Sequence, residues 1–497
     1  MNAPGMLYAQ VADVLAQSIR TGTLRRGERL MSVRDAARRH GVSVATAIQA
    51  YRSLEDAQMI EARPRSGFYV AARATRLPEP KATRPPERPR TVELHAIAAQ
   101  VKRLAYDPDF VSFGSACPGN DLFDNDRVRR VVNRTIQRSR SLLTHYPFGP
   151  GQECLRRAIA RYALGLGCVL SADQIVITSG CIDAISLALR AVTQPGDIVA
   201  LESPAYFSFL EILQTLQLKA LEIPTHPRTG LSLNALQLAL DTQPVRALLT
   251  VPTLSNPMGA CMPQAERRRL AGMAAAHDIA LIEDVVYNEL AVQDDKRRAI
   301  QSFDDTGHVM LCGSFTKTIA PGIRLGWMHG GRWHDKVARL QAVTSGTNTP
   351  VMETALAELI SQTGQEAAYR QLRTAIASRV DQARSLIAAS FPKGTRVTDP
   401  PGGYILWVEL PPTVDGLEVY EACIAERICV APGSLFSTSK RYSHCLRLSV
   451  GLRWTNLERQ ALCRIGEIAT TMAERAEQPA GTRNSDVEPL RERVLSR

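Results

Sequence analysis

The chain has 497 residues, which is more than one compact domain usually holds, so two or more folded units are expected. No apolar run approaches the roughly 18 residues of a membrane span, the N-terminus lacks the pattern of a secretory signal, and the ten cysteines are scattered without a C-x-x-C pair. These features argue against a membrane protein, a disulfide-rich secreted protein and a metal site, and they predict a reduced, cytoplasmic protein.

Positive charge is concentrated in the N-terminal part. Residues 1–90 carry 16 Lys and Arg against 8 Asp and Glu, whereas the whole chain has a net charge of only +11. A basic segment attached to a nearly neutral body indicates a polyanion partner for that segment. Charge alone leaves a second interpretation open, which is a basic surface that is merely solvated.

Residues 1–72 follow the order helix, helix, helix, hairpin, which is that of a winged helix-turn-helix. Leu7 to Ile19 keep apolar residues at helical spacing, Ser32 begins a short helix with Asp35 as its capping-box partner, and Ser43 follows a tight turn to cap a third helix. Residues 59–63 and 68–70 are predicted to be short strands around a turn. The third helix is predicted to bury one apolar stripe, formed by Val44, Ala47, Ile48, Tyr51 and Leu54.

A helix of this kind enters the major groove of double-stranded DNA through its N-terminal residues, and basic residues nearby contact phosphate. The predicted DNA-binding residues lie on the outer face of the third helix, at the start of the second and beside the wing turn: Ser43, Thr46, Gln49, Arg52, Arg34, Arg63 and Arg65. The alternative is that these arginines simply solvate a small domain.

Residues 73–91 are rich in proline and arginine and lack an apolar period, which predicts a semi-rigid, solvated linker. Residues 92–475 alternate apolar strands with helices, which predicts an α/β domain with a mostly parallel sheet and, from about residue 345, a smaller α+β subdomain. Residues 476–497 are predicted to be a disordered tail. The strand candidates lie within 174–180, 197–206, 246–257, 279–287 and 308–315.

The segment 314–326, SFTKTIAPGIRLG, places one lysine among small polar residues just after an apolar strand. Lys317 has Ser314 three residues before it and Arg324 seven residues after it. An amine beside groups that can bind phosphate is what pyridoxal 5'-phosphate (PLP) requires of a protein. We therefore expect Lys317 to hold PLP as a Schiff base, and Ser314 and Arg324 to bind its phosphate.

Other residues match the remaining needs of this cofactor. Asp284 ends an apolar strand, where its carboxylate would keep the pyridine nitrogen protonated. A strand-end aspartate is also a common helix cap, and an aromatic residue nearby could belong to the core. The other predicted cofactor residues are Asn256 and Tyr287 for the phenolic oxygen, Tyr206 as a plate on the ring, and Gly180 with the amides of Cys181 and Ile182 as an anion site.

Both halves resemble known families. SVRDAA, GVS, TAIQAYRSLE and RSGFYV resemble the helix starts and wing of GntR-type regulators, although Val44 stands where many members carry an arginine. Residues 105–475 are similar to fold-type-I aminotransferases, which implies the roles given above. This resemblance also implies that Tyr146, in HYPFGPG, reaches the phosphate of a partner subunit in a homodimer, and that Arg447, in CLRLSVGL, binds a substrate carboxylate. A structural salt bridge is the alternative for Arg447.

The two domains in this order resemble the MocR subfamily of GntR-type regulators. The resemblance implies a PLP-dependent transcription regulator that binds a DNA operator and a small amino-compound effector. Two other interpretations stay open: an active aminotransferase of amino acids and 2-oxo acids, and a DNA-binding scaffold with a silent PLP fold. Slow or absent transamination is expected.

Overall fold

The computed structural model describes residues 7–20, 24, 27–56, 59–63, 66–70, 77–83, 88–92, 96–144 and 146–477. Most of the predicted C-terminal tail, residues 478–497, lies outside the described residues. Within the described part, no helix combines the length and the apolar character that crossing a membrane would require.

The N-terminal domain contains three helices and a two-stranded antiparallel hairpin around its own apolar core. The predicted caps are confirmed, since the Ser32 and Ser43 hydroxyl oxygens accept hydrogen bonds from the amides of Asp35 and Thr46, at 3.2 and 3.0 Å. The elements are α1 Leu7–Arg20, α2 Val33–His40, α3 Val44–Asp56, β1 Ile60–Arg63 and β2 Gly67–Val70.

The apolar stripe predicted for α3 is partly wrong. Ala47, Tyr51 and Leu54 are buried, but Val44 and Ile48 are 47% and 40% exposed. With 100° between successive residues, the buried arc that packs on α1 and α2 is centred on Ala47 and Tyr51, and Val44 and Ile48 fall to one side of it. Both side chains are therefore available to a partner.

The linker was predicted to be solvated, and this is wrong for residues 77–83. The Thr83 amide donates to the Thr225 carbonyl at 3.2 Å, and the Thr83 hydroxyl accepts from the Thr225 amide at 2.7 Å and donates to the Ser203 carbonyl at 3.2 Å. Leu77 packs against the main core, and Pro80 is buried. Although its composition is that of a linker, this segment finds backbone partners at the end of strand Lys219–His226 and after strand Ile198–Ser203.

The second domain carries a nine-stranded mixed sheet flanked by helices. Its elements up to the end of that sheet are β3 Arg90–Thr91, α4 Ala96–Leu104, β4 Val111–Ser112, α5 Asn125–Arg138, α6 Glu153–Gly165, β5 Ile175–Thr178, α7 Cys181–Val192, β6 Ile198–Ser203, α8 Phe207–Thr215, β7 Lys219–His226, β8 Gly230–Leu231, α9 Leu233–Thr242, β9 Val245–Thr250, α10 Gln264–Ala276, β10 Ala280–Asp284, β11 Val309–Ser314 and β12 Gly326–His329. The strand order is β3-β7-β6-β9-β10-β11-β12-β5, with β8 paired to β7.

The five predicted strands are confirmed as β5, β6, β9, β10 and β11. The strands β7, β6, β9, β10 and β11 are parallel to one another, while β12 runs antiparallel between β11 and β5. The sequence patterns did not predict β7 or β12. The carboxyl ends of β5, β6, β9, β10 and β11 consequently meet at one edge, where open α/β sheets bind ligands.

The C-terminal part forms the predicted smaller subdomain. Its elements, with the helices that lead to it, are α11 His334–Thr344, α12 Pro350–Ser361, α13 Gln365–Ser390, β13 Arg396–Val397, β14 Ile405–Glu409, α14 Gly416–Ala425, β15 Ile428–Cys429, β16 Ala431–Pro432, β17 Cys445–Ser449 and α15 Asn456–Glu477. An antiparallel sheet has the order β13-β14-β17-β16, and β15 pairs with β4.

Candidate functional site

A cleft of about 1320 Å³ opens at the carboxyl ends of the parallel strands. It brings together ten of the residues that the sequence predicted for the cofactor: Lys317, Asp284, Asn256, Tyr287, Tyr206, Ser314, Arg324, Gly180, Cys181 and Ile182. These residues come from five separate segments of the chain, so the sheet rather than the local sequence forms the cleft.

Asp284 ends β10 and is buried at the floor of the cleft. Its Oδ1 accepts hydrogen bonds from the Val286 amide, at 2.9 Å, and from the Cys181 thiol, at 3.3 Å. Burial removes the carboxylate from water and raises the pKa of Asp284 to about 6, although the two hydrogen bonds and the charge of Lys317 act in the opposite direction. A protonated pyridine nitrogen would be a suitable partner, since it would place a positive charge against the buried carboxylate.

The other end of the cleft is suited to an anion. Gly180 has a φ of +106° and lies directly before α7, so the first amides of that helix point outward without a side chain in front of them. A Cβ built on Gly180 would lie 3.5 Å from Nη2 of Arg324. Ser314 ends β11, and its hydroxyl lies 2.9 Å from that of Thr316. Backbone amides, a guanidinium and two hydroxyls thus surround one position.

Three tyrosines and an amide lie where a ring would sit. Asn256 and Tyr287 are buried, and Oδ1 of Asn256 has no hydrogen-bond partner among the described residues. Burial raises the pKa of Tyr287, so its hydroxyl stays protonated and able to donate. Tyr206 precedes α8 and lines the cleft. Tyr404 packs its ring 6.1 Å from that of Tyr287.

Arg447 lies in β17 and is fully buried. One of its nitrogens, Nη2, donates to the Gly114 carbonyl, while Nε and Nη1 have no partner among the described residues. Its guanidinium carbon lies 5.9 and 5.6 Å from the ring centroids of Phe207 and Phe436. The alternative of a structural salt bridge is not supported, because no carboxylate of a described residue pairs with Arg447. A buried cation with free donors calls for an anionic ligand.

Tyr146 is not brought into this cleft. It is 73% exposed and stacks near Phe148, which is 85% exposed. Tyr146 instead lines a neighbouring depression of about 670 Å³ together with Arg324 and Ser179. Its position within a single chain therefore leaves the phenol free to act elsewhere, which is what the expected contact with a partner subunit requires.

Several residues of the cleft were missed by sequence reasoning. Thr316 and Ser179 line the anion end, and the Ser179 hydroxyl donates to Asn348 Oδ1 at 3.0 Å. Cys117 also lines the cleft, close enough to Lys317 and Arg324 to feel their charges. The positions of Thr316, beside Lys317, and Ser179, beside Gly180, offered a signal, but nothing near Cys117 in the sequence pointed to the cleft.

The predicted DNA-binding residues that the structure describes all lie on the N-terminal domain, and they differ in exposure and in whether their side chains already have partners. Arg34, Gln49 and Arg52 are exposed. The Ser43 and Thr46 hydroxyls lie 2.8 Å apart in the cap of α3. Arg63 is already occupied, because its guanidinium pairs with Glu61 at 2.7 Å and stacks over Tyr69. Arg65 lies outside the described residues.

The residues of the cleft fit PLP. Asp284 offers a buried carboxylate, and the N-terminus of α7 with Arg324 forms a site suited to an anion beside Gly180. Arg447, which interacts electrostatically with Tyr206 and Tyr287 of the cleft, has unpaired donors. Lys317 provides the amine on the same surface. The arrangement can hold a charged aromatic ring, a phosphate and a carboxylate at once.

Comparisons with known proteins agree with this geometry. Residues 117–463 match the family described as aminotransferase class I and II, and residues 7–70 match the bacterial regulatory proteins of the gntR family. The chain is 39% identical over 465 residues to the uncharacterized HTH-type transcriptional regulator YjiR of Escherichia coli, with 93% of this chain and 98% of YjiR covered. It is 34% identical to a second such regulator of that bacterium, YdcR, with 93% and 98% covered.

Among solved structures, the kynurenine aminotransferase of Pyrococcus horikoshii in complex with PMP superposes with a TM-score of 0.70. It is 25% identical and covers 78% of this chain and 96% of its own. The multiple substrate aminotransferase of Thermococcus profundus also has a TM-score of 0.70, at 23% identity, covering 77% of this chain and 96% of its own. The second likeness concerns the fold alone.

Proposed function

Because this chain belongs to the aminotransferase class I and II family and carries a gntR-type DNA-binding domain, we propose that it regulates transcription in response to an amino acid that binds beside its PLP. The observation that carries the proposal is Arg447, a buried cation with two unpaired nitrogens, whose electrostatic neighbours include Tyr206 and Tyr287 of the cleft. Its action on DNA requires the compartment that holds the DNA, which we expect to be the cytoplasm.

Different residues of the cleft would bind different parts of the cofactor. Lys317 would hold its aldehyde, Asp284 its pyridine nitrogen, and Asn256 and Tyr287 its phenolic oxygen, while Tyr206 would cover the ring. Ser314, Arg324 and the amides of Cys181 and Ile182, behind Gly180, would bind its phosphate. When bound, PLP supplies an aldehyde that condenses with primary amines.

Arg447 supports an effector that carries a carboxylate as well as an amine. Its free Nε and Nη1 would donate charge-assisted hydrogen bonds to the two carboxylate oxygens. The phenyl rings of Phe207 and Phe436 exclude water around the guanidinium and so strengthen this pairing. An α-amino acid presents both groups at the spacing of one carbon atom, and a simple amine lacks the carboxylate.

The docked linker supports communication between this cleft and the DNA-binding domain. Pro78 accepts a hydrogen bond from the amide of Val397, in the small subdomain, at 2.9 Å. Glu79 pairs with Arg228, and Thr83 bonds Thr225 and Ser203, all in the large subdomain. Movement of the small subdomain on ligand binding would therefore pull on the chain that leads to the DNA-binding domain.

A homodimer would add a residue to each cofactor site and would bring two DNA-binding domains together. The exposed Tyr146 lines the same depression as Arg324, for which we propose a role in phosphate binding, and a second copy would bring its tyrosine to this position. When one of two DNA-binding domains joined in this way binds its half-site, the other is held at a high effective concentration near the second half-site, which increases the overall affinity. An operator with paired half-sites is the expected target.

A second function, transamination of amino acids and 2-oxo acids, is favoured by one observation. The amine of Lys317, the carboxylate of Asp284 and the phosphate site all line one cleft, as a working enzyme requires. We rank it second because the chain also carries the gntR-type domain.

The test is a titration of DNA binding. Full-length protein loaded with PLP is mixed with labelled DNA from upstream of its own gene, and binding anisotropy is followed with a panel of amino acids. We expect at least one amino acid to change the affinity about tenfold or more, and the corresponding decarboxylated amine to have no effect. Tight DNA binding that no amino acid changes would contradict the sensor role. A turnover near the ~10 s⁻¹ typical of enzymes without specific DNA binding would favour the second function.

A further inference from the structure

The recognition helix α3 presents two large aliphatic side chains to solvent. Val44 and Ile48 are 47% and 40% exposed, and neither belongs to the core of the N-terminal domain. The same helix buries Ala47, Ala50 and Tyr51, so apolar residues were available for the core without them. Two large aliphatic side chains one helical turn apart form a small apolar patch, and apolar patches on a surface mark places where a partner binds.

The surroundings of these two side chains indicate which partner covers them. Arg52 is exposed one turn after Ile48 on the same helix, and the preceding helix carries the exposed Arg34, so the domain offers cations as well as the apolar pair. A protein surface with that composition is poorly matched to another basic copy of the same domain and well matched to DNA. In the major groove, the apolar group that each A·T pair displays is the C5 methyl of thymine.

We propose that Val44 and Ile48 read thymine methyl groups in the operator half-site. The inference rests on the DNA-binding role proposed above and extends it to base specificity. An arginine at position 44 would read guanine through two hydrogen bonds, whereas a valine there has no donor and gains only from a methyl group.

The spacing of the two residues fits this reading. Four residues of α-helix advance by about 6 Å, and two base-pair steps of DNA advance by about 6.8 Å. Side chains at positions 44 and 48, one turn apart on one face, therefore match methyl groups two base pairs apart. Ala45 and Gln49 are also exposed on α3 and lie next to them.

The experiment begins with selection of binding sites from random duplex DNA by the full-length, PLP-loaded protein. Each thymine of the selected half-site is then replaced by deoxyuridine, which removes only the C5 methyl group. We expect two positions, two base pairs apart, where this replacement weakens binding about fourfold, the effect of losing contact with one buried carbon group. Replacing a cytosine by 5-methylcytosine serves as the reverse probe.

Variants assign the methyl groups to side chains. In Val44→Ser and Ile48→Ser proteins, the deoxyuridine replacement should have no further effect at one of the two positions. Val14→Ser is the matched control, because Val14 is an exposed valine on α1, 53% exposed, and should keep the full methyl dependence. Val44→Arg should shift the preferred base at its position from thymine toward guanine.

The outcomes separate this inference from the proposed function. If no sequence is selected, the DNA-binding function itself fails. If a sequence is selected and deoxyuridine is neutral at every position, the methyl reading is wrong. If Val44→Ser and Ile48→Ser instead change the sedimentation of the protein without DNA, the pair is a protein contact and the inference is overturned.

Discussion

Replacing Arg447 by methionine tests the effector site most directly. Methionine is apolar and flexible and reaches as far as the Nε position of arginine, so it keeps the aliphatic part of the side chain and removes the charged donors beside Phe207 and Phe436. The variant loses one hydrogen bond within the chain, from Nη2 to the Gly114 carbonyl, and the two nitrogens, Nε and Nη1, that await a ligand. The affected quantity is the affinity for amino acids.

The magnitude follows from those two nitrogens. A hydrogen bond to a charged group contributes roughly 1.5–3 kcal/mol, and two of them, after the cost of desolvating the carboxylate, leave roughly 3 kcal/mol. The affinity for an amino acid should therefore fall about 100-fold. The affinity for the matching decarboxylated amine should change less than threefold, since that amine never contacted the guanidinium.

Stability should change in the opposite direction to binding. An arginine buried without a countercharge costs free energy in the folded state, and burial lowers its pKa for the same reason. Without a ligand, Arg447→Met should unfold at the same urea concentration as the wild type or at a higher one. Loss of binding can then not be ascribed to loss of folding.

The assay compares L-alanine with ethylamine, which differ by one carboxylate. Titrations follow the visible absorption of bound PLP and, in parallel, the affinity for operator DNA. Arg269→Met is the control, because Arg269 is exposed on α10 and does not line the cleft. Equal loss of both ligands, or an unchanged response to alanine, would refute the assignment of Arg447 to the carboxylate.

Four further outcomes are expected. Lys317→Ala protein should lose the borohydride-fixed, covalently bound PLP that the wild type retains, as measured by mass spectrometry. Arg52→Ala should weaken operator binding and reduce the slope of log affinity against log salt by about 0.9, because one phosphate contact is lost. Thr83→Val should keep PLP and basal DNA binding but reduce the amino-acid response, measured by anisotropy, because the linker loses its bonds to Ser203 and Thr225. Glu202→Gln should unfold at higher urea concentration than the wild type at pH 8 and equally at pH 4. Burial raises the pKa of Glu202 to about 7, so the stability of the wild type is complete below the unfolded value of 4.5 and is lost by about 3 kcal/mol as the pH rises through 7.

Each of these has a result that would contradict it. If Lys317→Ala protein still retained borohydride-fixed cofactor, another amine would hold the aldehyde. If the salt slope were unchanged in Arg52→Ala protein, Arg52 would not contact phosphate. A full effector response in Thr83→Val protein would show that the docked linker carries no signal. Equal urea midpoints of Glu202→Gln and wild type at pH 8 would mean that the Glu202 carboxylate ionises without cost.

Short-range patterns were sufficient for the elements whose signals are local. Apolar runs predicted β5, β6, β9, β10 and β11, because a strand buried on both faces needs apolar residues throughout. Strand β7, Lys219–His226, was not predicted because it mixes Lys219, Glu222 and Pro224 with apolar residues. Strand β12 was not predicted because its four residues are too few to show an apolar period. The sequence offered no pattern for either.

The sequence by itself determined which chemical groups this protein has and in which order, since motifs such as that around Lys317 and the caps at Ser32 and Ser43 depend on neighbours within a few residues. Tertiary structure alone decided that Val44 and Ile48 stay exposed, that residues 77–83 dock, and that Arg447 keeps two nitrogens unpaired. Burial, pairing and docking depend on which distant segments pack together. Local spacing cannot encode that packing, because each contact joins residues that lie tens to hundreds of positions apart.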